Sequence, residues 1–290
     1  MPVHRHLLSL SLTATLSLTA AAPAPGAGPP LRLVVRGDDM GSSQASNEAA
    51  IRCFREGVMR DVEVMAVGPW FPEAARLLRE NPGLDVGLHL SLTSEWEGVK
   101  WRPLTAAPSL VEKTGYLFPM IWPRPGYGRE RALQEQPWKL DEIERELRAQ
   151  IGLTRREVPQ LSHLSDHMGF QSLGPEVVAL VKRLAVEYGL DIDPQALGAR
   201  WVGWDGKPQT PAEKTASFLR VLEALGPGSW VFVDHPALDT PEMRAVGHVG
   251  YENVAVDRQG VTDAWTSPAA RDVVRRRGIE LVGYRDLARR

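Results

Sequence analysis

The chain has 290 residues, 43% of them hydrophobic, and a formal net charge of -2. That size suits one large globular domain with a full core, and a single α/β barrel often uses about this length. Near-neutral charge with scattered Arg and Lys excludes an electrostatically driven nucleic-acid binder, and Arg275-Arg276-Arg277 reads as a solvated helix face.

The start of the chain differs from the rest. His4, Arg5 and His6 precede an uncharged stretch from Leu7 to Ala22, then small residues and a Pro/Gly/Ala linker to Pro30. This is the layout of a signal peptide over residues 1–25, leaving 26–290 as the mature domain, secreted or periplasmic. The apolar stretch is shorter than the roughly 20 residues that span a bilayer. No second apolar run of spanning length follows, so stable membrane insertion of the mature chain is not expected.

Strand-like and helix-like segments then alternate. Leu31 to Val35 reads as a strand, Ala45 to Arg55 as a helix, Val62 to Val67 as a strand, Phe71 to Glu80 as a helix and Asp85 to Leu90 as a third strand. Cys53, the only cysteine, reads as a small core residue in the first helix. A long excursion from Thr93 to Lys139 holds Trp96, Trp101, Trp122 and Trp138, and its Pro and Gly argue against regular structure. A helix capped by Asp141 runs to Ala149, Gln160 to Leu164 is a strand, and Pro175 opens a helix that Gly189 closes. Thr210 and Glu213 form a capping box, Ser229 to Val233 is a strand, Pro268 starts a helix ending before Gly278, and Glu280 to Val282 is a last strand. The alternation predicts an α/β fold with a parallel sheet, closed into a barrel or wound as an open sheet.

The reactive residues gather at strand ends. Asp38 and Asp39 follow the first strand, His89 ends the third, His163 and His167 follow the strand at Gln160, and His235 follows the strand at Ser229. In parallel α/β folds the C-terminal strand ends line the active site, so these groups converge. A carboxylate with two imidazoles forms a common divalent-metal site that leaves room for water and substrate. A second carboxylate can take the water's proton, and a histidine across the site can protonate the leaving group. No Gly-x-Ser-x-Gly elbow, phosphate-binding loop, Cys-x-x-Cys pair or dinucleotide fingerprint competes with this reading. Trp96, Trp101 and Arg102, soon after His89, are candidate sugar contacts, with His163 beside them.

At these residues the sequence resembles the YdjC-like (ChbG/HpnK) carbohydrate deacetylases. The matching pieces are Arg36-Gly37-Asp38-Asp39-Met40-Gly41, Gly87-Leu88-His89-Leu90-Ser91-Leu92-Thr93, the His163 to His167 segment and Asp234-His235-Pro236. The resemblance implies a distorted single (β/α) barrel that removes N-acetyl groups from amino sugars such as chitooligosaccharides. It assigns one divalent metal ion to Asp39, His89 and His167, the base to Asp38 and the acid to His235. Zn²⁺ or Mg²⁺ heads the choice of metal, with Mn²⁺ or Ni²⁺ as alternatives, and the partner is a small carbohydrate. Ser165, Gly169 and Ala237 stand where the family pattern has Asp, His and Gly. Two alternatives share the metal set: a metal-dependent phosphoesterase, which lacks a basic cluster here, and a non-catalytic carbohydrate-binding protein.

Overall fold

Alternation along the strands decides which side chains face inward. In the computed structural model, which describes residues 29–289, odd residues of the first strand (Leu33, Val35) join the main core, while Val34, Arg36 and Asp38 point to the other face. The segment expected as a signal peptide lies outside the described residues.

The elements in chain order are β1 (Leu31–Met40), α1 (Gln44–Arg55), β2 (Asp61–Val64), α2 (Phe71–Arg79), β3 (Asp85–Leu90), α3 (Leu140–Glu157), β4 (Leu161–Asp166), α4 (Pro175–Tyr188), β5 (Arg200–Val202), α5 (Pro211–Ala224), β6 (Gly228–Asp234), α6 (Pro241–Arg244), α7 (Val254–Thr266), α8 (Pro268–Arg277), β7 (Glu280–Leu281) and α9 (Tyr284–Ala288). All strand pairings are parallel, in the order β4-β3-β2-β1-β6-β5. Strand β7 pairs with β1 at Arg32 and Leu33, on the stretch that β2 leaves because it pairs only from Arg36 onward.

The sheet does not close: among the described residues β4 and β5 form no ladder. Their edges nevertheless face one another, since Leu164 and Ser165 on β4 and Trp201 on β5 line a common cavity. The expected barrel is therefore an α/β barrel distorted by an open seam. Apolar residues from the outer sheet face, such as Val62, Val64, Val86 and Leu88, share one core with Ala50 and Cys53 on α1, Leu78 on α2, Ile143, Leu147 and Ile151 on α3, and Phe218 on α5.

The inner face is polar where most barrels are aliphatic. Asp61 and Glu63 on β2, Arg36 on β1 and His163 on β4 meet there, and His163 Nε2 lies 2.8 Å from Glu63 Oε1. A Cβ at residue 87 would collide with both Glu63 and His163, so β3 carries Gly87 at this approach. Tyr284, at the start of α9, covers the cluster, its ring centre 4.5 Å from that of His163.

Several expectations need adjusting. Helix α3 runs eight residues past Ala149 to Glu157, through Gly152, because Gln150, Ile151 and Thr154 remain buried. Strand β1 continues to Met40, so Asp38 and Asp39 are strand residues. The short elements β5, α6 and α9, and helix α7, have no counterpart in the sequence reading. The excursion contains 3-10 turns at Pro108–Leu110, Arg129–Arg131 and Leu133–Glu135 and isolated bridges such as Val111–Leu117, and α3 anchors it: Glu146 accepts from the backbone N–H of Leu104 and Thr105, and Glu142 from that of Ser109.

Candidate metal and catalytic site

Strict alternation would send Asp38 and Asp39 to opposite faces of β1. The register slips between Gly37 and Met40, and Asp39 takes a left-handed conformation at φ 68°. Bulges re-aim side chains in this way, and Asp is among the residues that tolerate positive φ. Both carboxylates consequently reach one cavity of about 370 Å³ at the C-terminal strand ends, with His89 from β3, His167 after β4 and His235 after β6. After His167 the chain turns through two left-handed residues, Met168 (φ 52°) and Gly169 (φ 63°).

Three donor atoms converge. Asp39 Oδ1 lies 3.7 Å from His89 Nε2 and 3.4 Å from His167 Nδ1. Asp39, His89 and His167 offer atoms all within 4.8 Å of one another. Asp39 Oδ1 is buried without a hydrogen-bond partner, which is costly for a carboxylate oxygen unless a cation satisfies it. Each remaining atom is tied down. His89 Nδ1 is 2.7 Å from Ser165 Oγ, His167 Nε2 is 2.9 Å from Glu95 Oε2, and Arg258 Nη2 donates to Asp39 Oδ2 at 3.0 Å. Such partners fix the ring orientation and tautomer of a metal-binding histidine. The donor set thus fits a divalent cation.

The electrostatics agree with that fit. Burial pushes the Asp39 carboxyl up, but His235 and Arg258 outweigh it and hold it well below the usual range. Burial lowers His89, keeping the ring neutral and available as a donor. His167 is pushed up to about 10, because Glu95 and Asp39 overcome the cost of burial; a cation at Nδ1 must displace that proton.

Two further groups flank the donors. Asp38 accepts two hydrogen bonds from Arg36, from Nε and Nη2, each 2.8 Å, and its Oδ2 lies 3.9 Å from His89 Nε2. His235 Nε2 is 3.8 Å from Asp39 Oδ2, and Asp234 Oδ1 holds its ring at 3.3 Å from Nδ1 and its backbone N–H at 2.7 Å. Burial lowers the His235 pKa, but Asp39 outweighs it and raises the ring above its ordinary value.

The amino-acid sequence agrees with this geometry. Residues 32–276 match the YdjC-like protein family. The chain belongs to that family. Among similar proteins, carbohydrate deacetylase from Thermus thermophilus is 30% identical over 239 residues, covering 74% of this chain and 80% of that one. Chitooligosaccharide deacetylase from Citrobacter koseri is 30% identical over 275 residues, covering 88% and 98%. A crystal structure of an Enterococcus faecalis protein named for cellobiose-phosphate cleavage superposes with a TM-score of 0.69 at 20% identity, over 89% of this chain and 99% of that one, and shares the fold.

Against the YdjC-like pattern, the substitutions acquire local roles. Ser165 supplies the hydroxyl against His89 Nδ1. Gly169 sits in the left-handed turn, and Ala237 is fully buried, its carbonyl accepting from Thr262 Oγ1.

Three expected sugar contacts lie elsewhere. His163 is wholly enclosed in the inner polar cluster beneath the cavity, pushed up to about 10 by Glu63 and Asp61 against the effect of burial. Trp101 is buried behind His167, donating its indole N–H to the Thr93 carbonyl at 2.7 Å. Arg102 stacks over Tyr116 and lines a separate shallow depression. Only Trp96 lines the cavity, stacked on His248 with ring centres 5.4 Å apart.

Glu95, His248, Tyr251 and Arg258 also line the cavity, and sequence reasoning misses them. His248 follows no strand, Glu95 is one acid in an irregular loop, and Arg258 sits on α7. Gly260 hides that helix from a propensity reading; it is there because a Cβ would come within 3.0 Å of Pro211 Cα at the start of α5.

Proposed function

We propose that this protein is a metal-dependent carbohydrate deacetylase that hydrolyses the acetamide of an N-acetylated amino sugar, giving acetate and a free amine. The observation that carries the reading is the convergence of Asp39 Oδ1, His89 Nε2 and His167 Nδ1 in a cavity also flanked by Asp38 and His235. Similarity to carbohydrate and chitooligosaccharide deacetylases supports the substrate class. The layout of residues 1–25 supports action outside the cytoplasm.

Asp39, His89 and His167 would hold the cation. When bound, a divalent cation polarises the acetamide carbonyl and makes a nearby water more acidic. Asp38 takes the proton of the attacking water, and the double hydrogen bond from Arg36 fixes the direction of its oxygens. His235, oriented by Asp234 and reached from a different strand, gives a proton to the departing nitrogen. An amide needs that proton more than an ester does, because an amide anion is the poorer leaving group.

The test is acetate release from N-acetylglucosamine oligomers by metal-loaded protein recovered from the exported fraction. Asp38→Asn should keep its metal and lose about 10² to 10⁴-fold in kcat. His235→Ala should suppress amide hydrolysis more than hydrolysis of an activated acetyl ester. No acetate from any N-acetyl sugar would end the deacetylase reading, and equal losses on amide and ester would end the acid role of His235.

A further inference from the structure

The open seam between β4 and β5 holds a cavity of about 640 Å³, larger than the catalytic one at about 370 Å³. The two are adjacent: Asp166, at the end of β4, lines both. Inside the seam, Arg36 and Tyr284 form part of the wall, and Trp201 on β5 forms another part. Trp201 is 51% exposed, an unusual state for so large an apolar side chain on a strand. Its ring centre lies 5.8 Å from Arg36 Cζ.

We propose that this seam is a second sugar subsite, in which Trp201 stacks on the apolar face of a ring belonging to the same oligosaccharide whose acetamide lies in the catalytic cavity. Three observations carry the proposal. First, the catalytic cavity is at the low end of small-molecule sites, which run from roughly 300 to 1,000 Å³, so the other units of an oligomer need a neighbouring place to lie. Second, the seam pairs an exposed aromatic surface with carboxylate and amide groups, among them Asp166 and Gln195, the mixture that binds a sugar's apolar face and its hydroxyls together. Third, Asp166 lines both cavities, which places the seam directly beside the reacting position. Arg36 then has two faces: it donates to Asp38 on one side and borders the seam on the other. An oligosaccharide filling the seam would pack against the side chain that fixes Asp38.

The catalytic part of this inference rests on the deacetylase reading, whereas its binding part does not. The experiment therefore measures both. Titration calorimetry of an N-acetylglucosamine tetramer into the full-length mature protein gives the affinity, and acetate release is followed with the tetramer and with the monomer. Trp201→Ala should weaken tetramer binding about ten-fold or more and lower kcat/KM on the tetramer, with monomer turnover unchanged. Trp201→Phe, which keeps a ring, should recover most of the loss. Tetramer binding that depends on Trp201 but yields no acetate would keep the subsite and remove the deacetylase reading. Acetate release with tetramer affinity untouched by Trp201→Ala would do the reverse. Absence of tetramer binding to the wild-type protein overturns the subsite. So does a dimer in light scattering that Trp201→Ala converts to monomer without altering sugar affinity, because the seam would then be covered by a second copy of the chain.

Discussion

His167 is hydrogen-bonded at Nε2 to Glu95 at 2.9 Å, while its Nδ1 lies 3.4 Å from Asp39 Oδ1, an ion-pair separation without a hydrogen bond, and its proton competes with any cation. Since its pKa is pushed up to about 10, apparent metal affinity should fall about ten-fold for each pH unit of acidification below that value. Calorimetry in buffers of different ionisation enthalpy would show the released proton; affinity constant between about pH 6 and 8 would contradict it. His89→Ala and His167→Ala should each lose the metal while the far-ultraviolet circular dichroism stays native. The inner cluster makes a different claim. The His163 contribution to stability, with a folded pKa of about 10, is complete below the ordinary histidine value and is lost as pH rises through 10. Glu63, lowered to about 2 because His163 and Arg36 outweigh its burial, contributes above the ordinary carboxylate value and loses that contribution as pH falls toward 2. Asp61, raised to about 6 chiefly by burial, contributes only at acid pH and less as pH rises through 6. The three windows overlap at about pH 4 to 5, where the cluster is most stabilising, and its contribution declines as pH rises through 6 and again toward 10. His163→Ala would leave buried Asp61 without its cation and Glu63 with Arg36 alone, and should cost about 3–5 kcal/mol in urea unfolding. A loss under about 1 kcal/mol would mean the cluster relaxes around the gap.

Helix α3 carries more of the site than its distance from the chemistry suggests. Glu146 is fully buried and receives the N–H groups of Leu104 and Thr105 and the Thr105 hydroxyl, while Gln150 bonds both N–H and C=O of Ser91. These bonds hold the loop that presents Glu95 and Trp96. Glu146→Ala strands the buried Gln150 amide, which donates to Glu146 Oε1, at about 1–3 kcal/mol and releases the part-buried N–H groups of Leu104 and Thr105, so limited proteolysis should cut near residues 103–110 faster than in the wild type. An unchanged cleavage rate would show that other contacts hold the loop. Elements of this kind also mark what the sequence discloses and what it hides. Strands β1 to β4 and β6, with their histidines and aspartates at the C-terminal ends, could be read from apolar runs and their punctuation. So could the capping box of Thr210 and Glu213, present with Glu213 N–H donating to Thr210 Oγ1 at 3.2 Å. The alternation Asp61-Val62-Glu63-Val64 announces a polar inner face, but an isolated four-residue strand gives no sign of the partner, His163, a hundred residues away. Glu95 and Arg258 escape because their positions come from tertiary packing, not from any local period.

Across the molecule, one sheet supplies both the cavity floor and the gap beside it. Strand β1 is flanked by β2 and β7 on one side and β6 on the other, whereas β5 has three residues and pairs with β6 alone among the described residues. Local opening follows such differences in support. Amide hydrogens of Arg200–Val202 should exchange with deuterium well before those at the centre of β1, and mass spectrometry of peptic fragments can time both. Equal protection would mean that β5 opens only with the whole domain. A wall that breathes on its own is also a wall that a guest can quiet: a saccharide seated against Trp201 would slow exchange in β5 and leave the β1 rate as it was, turning the unfinished edge of the sheet into a reporter of occupancy.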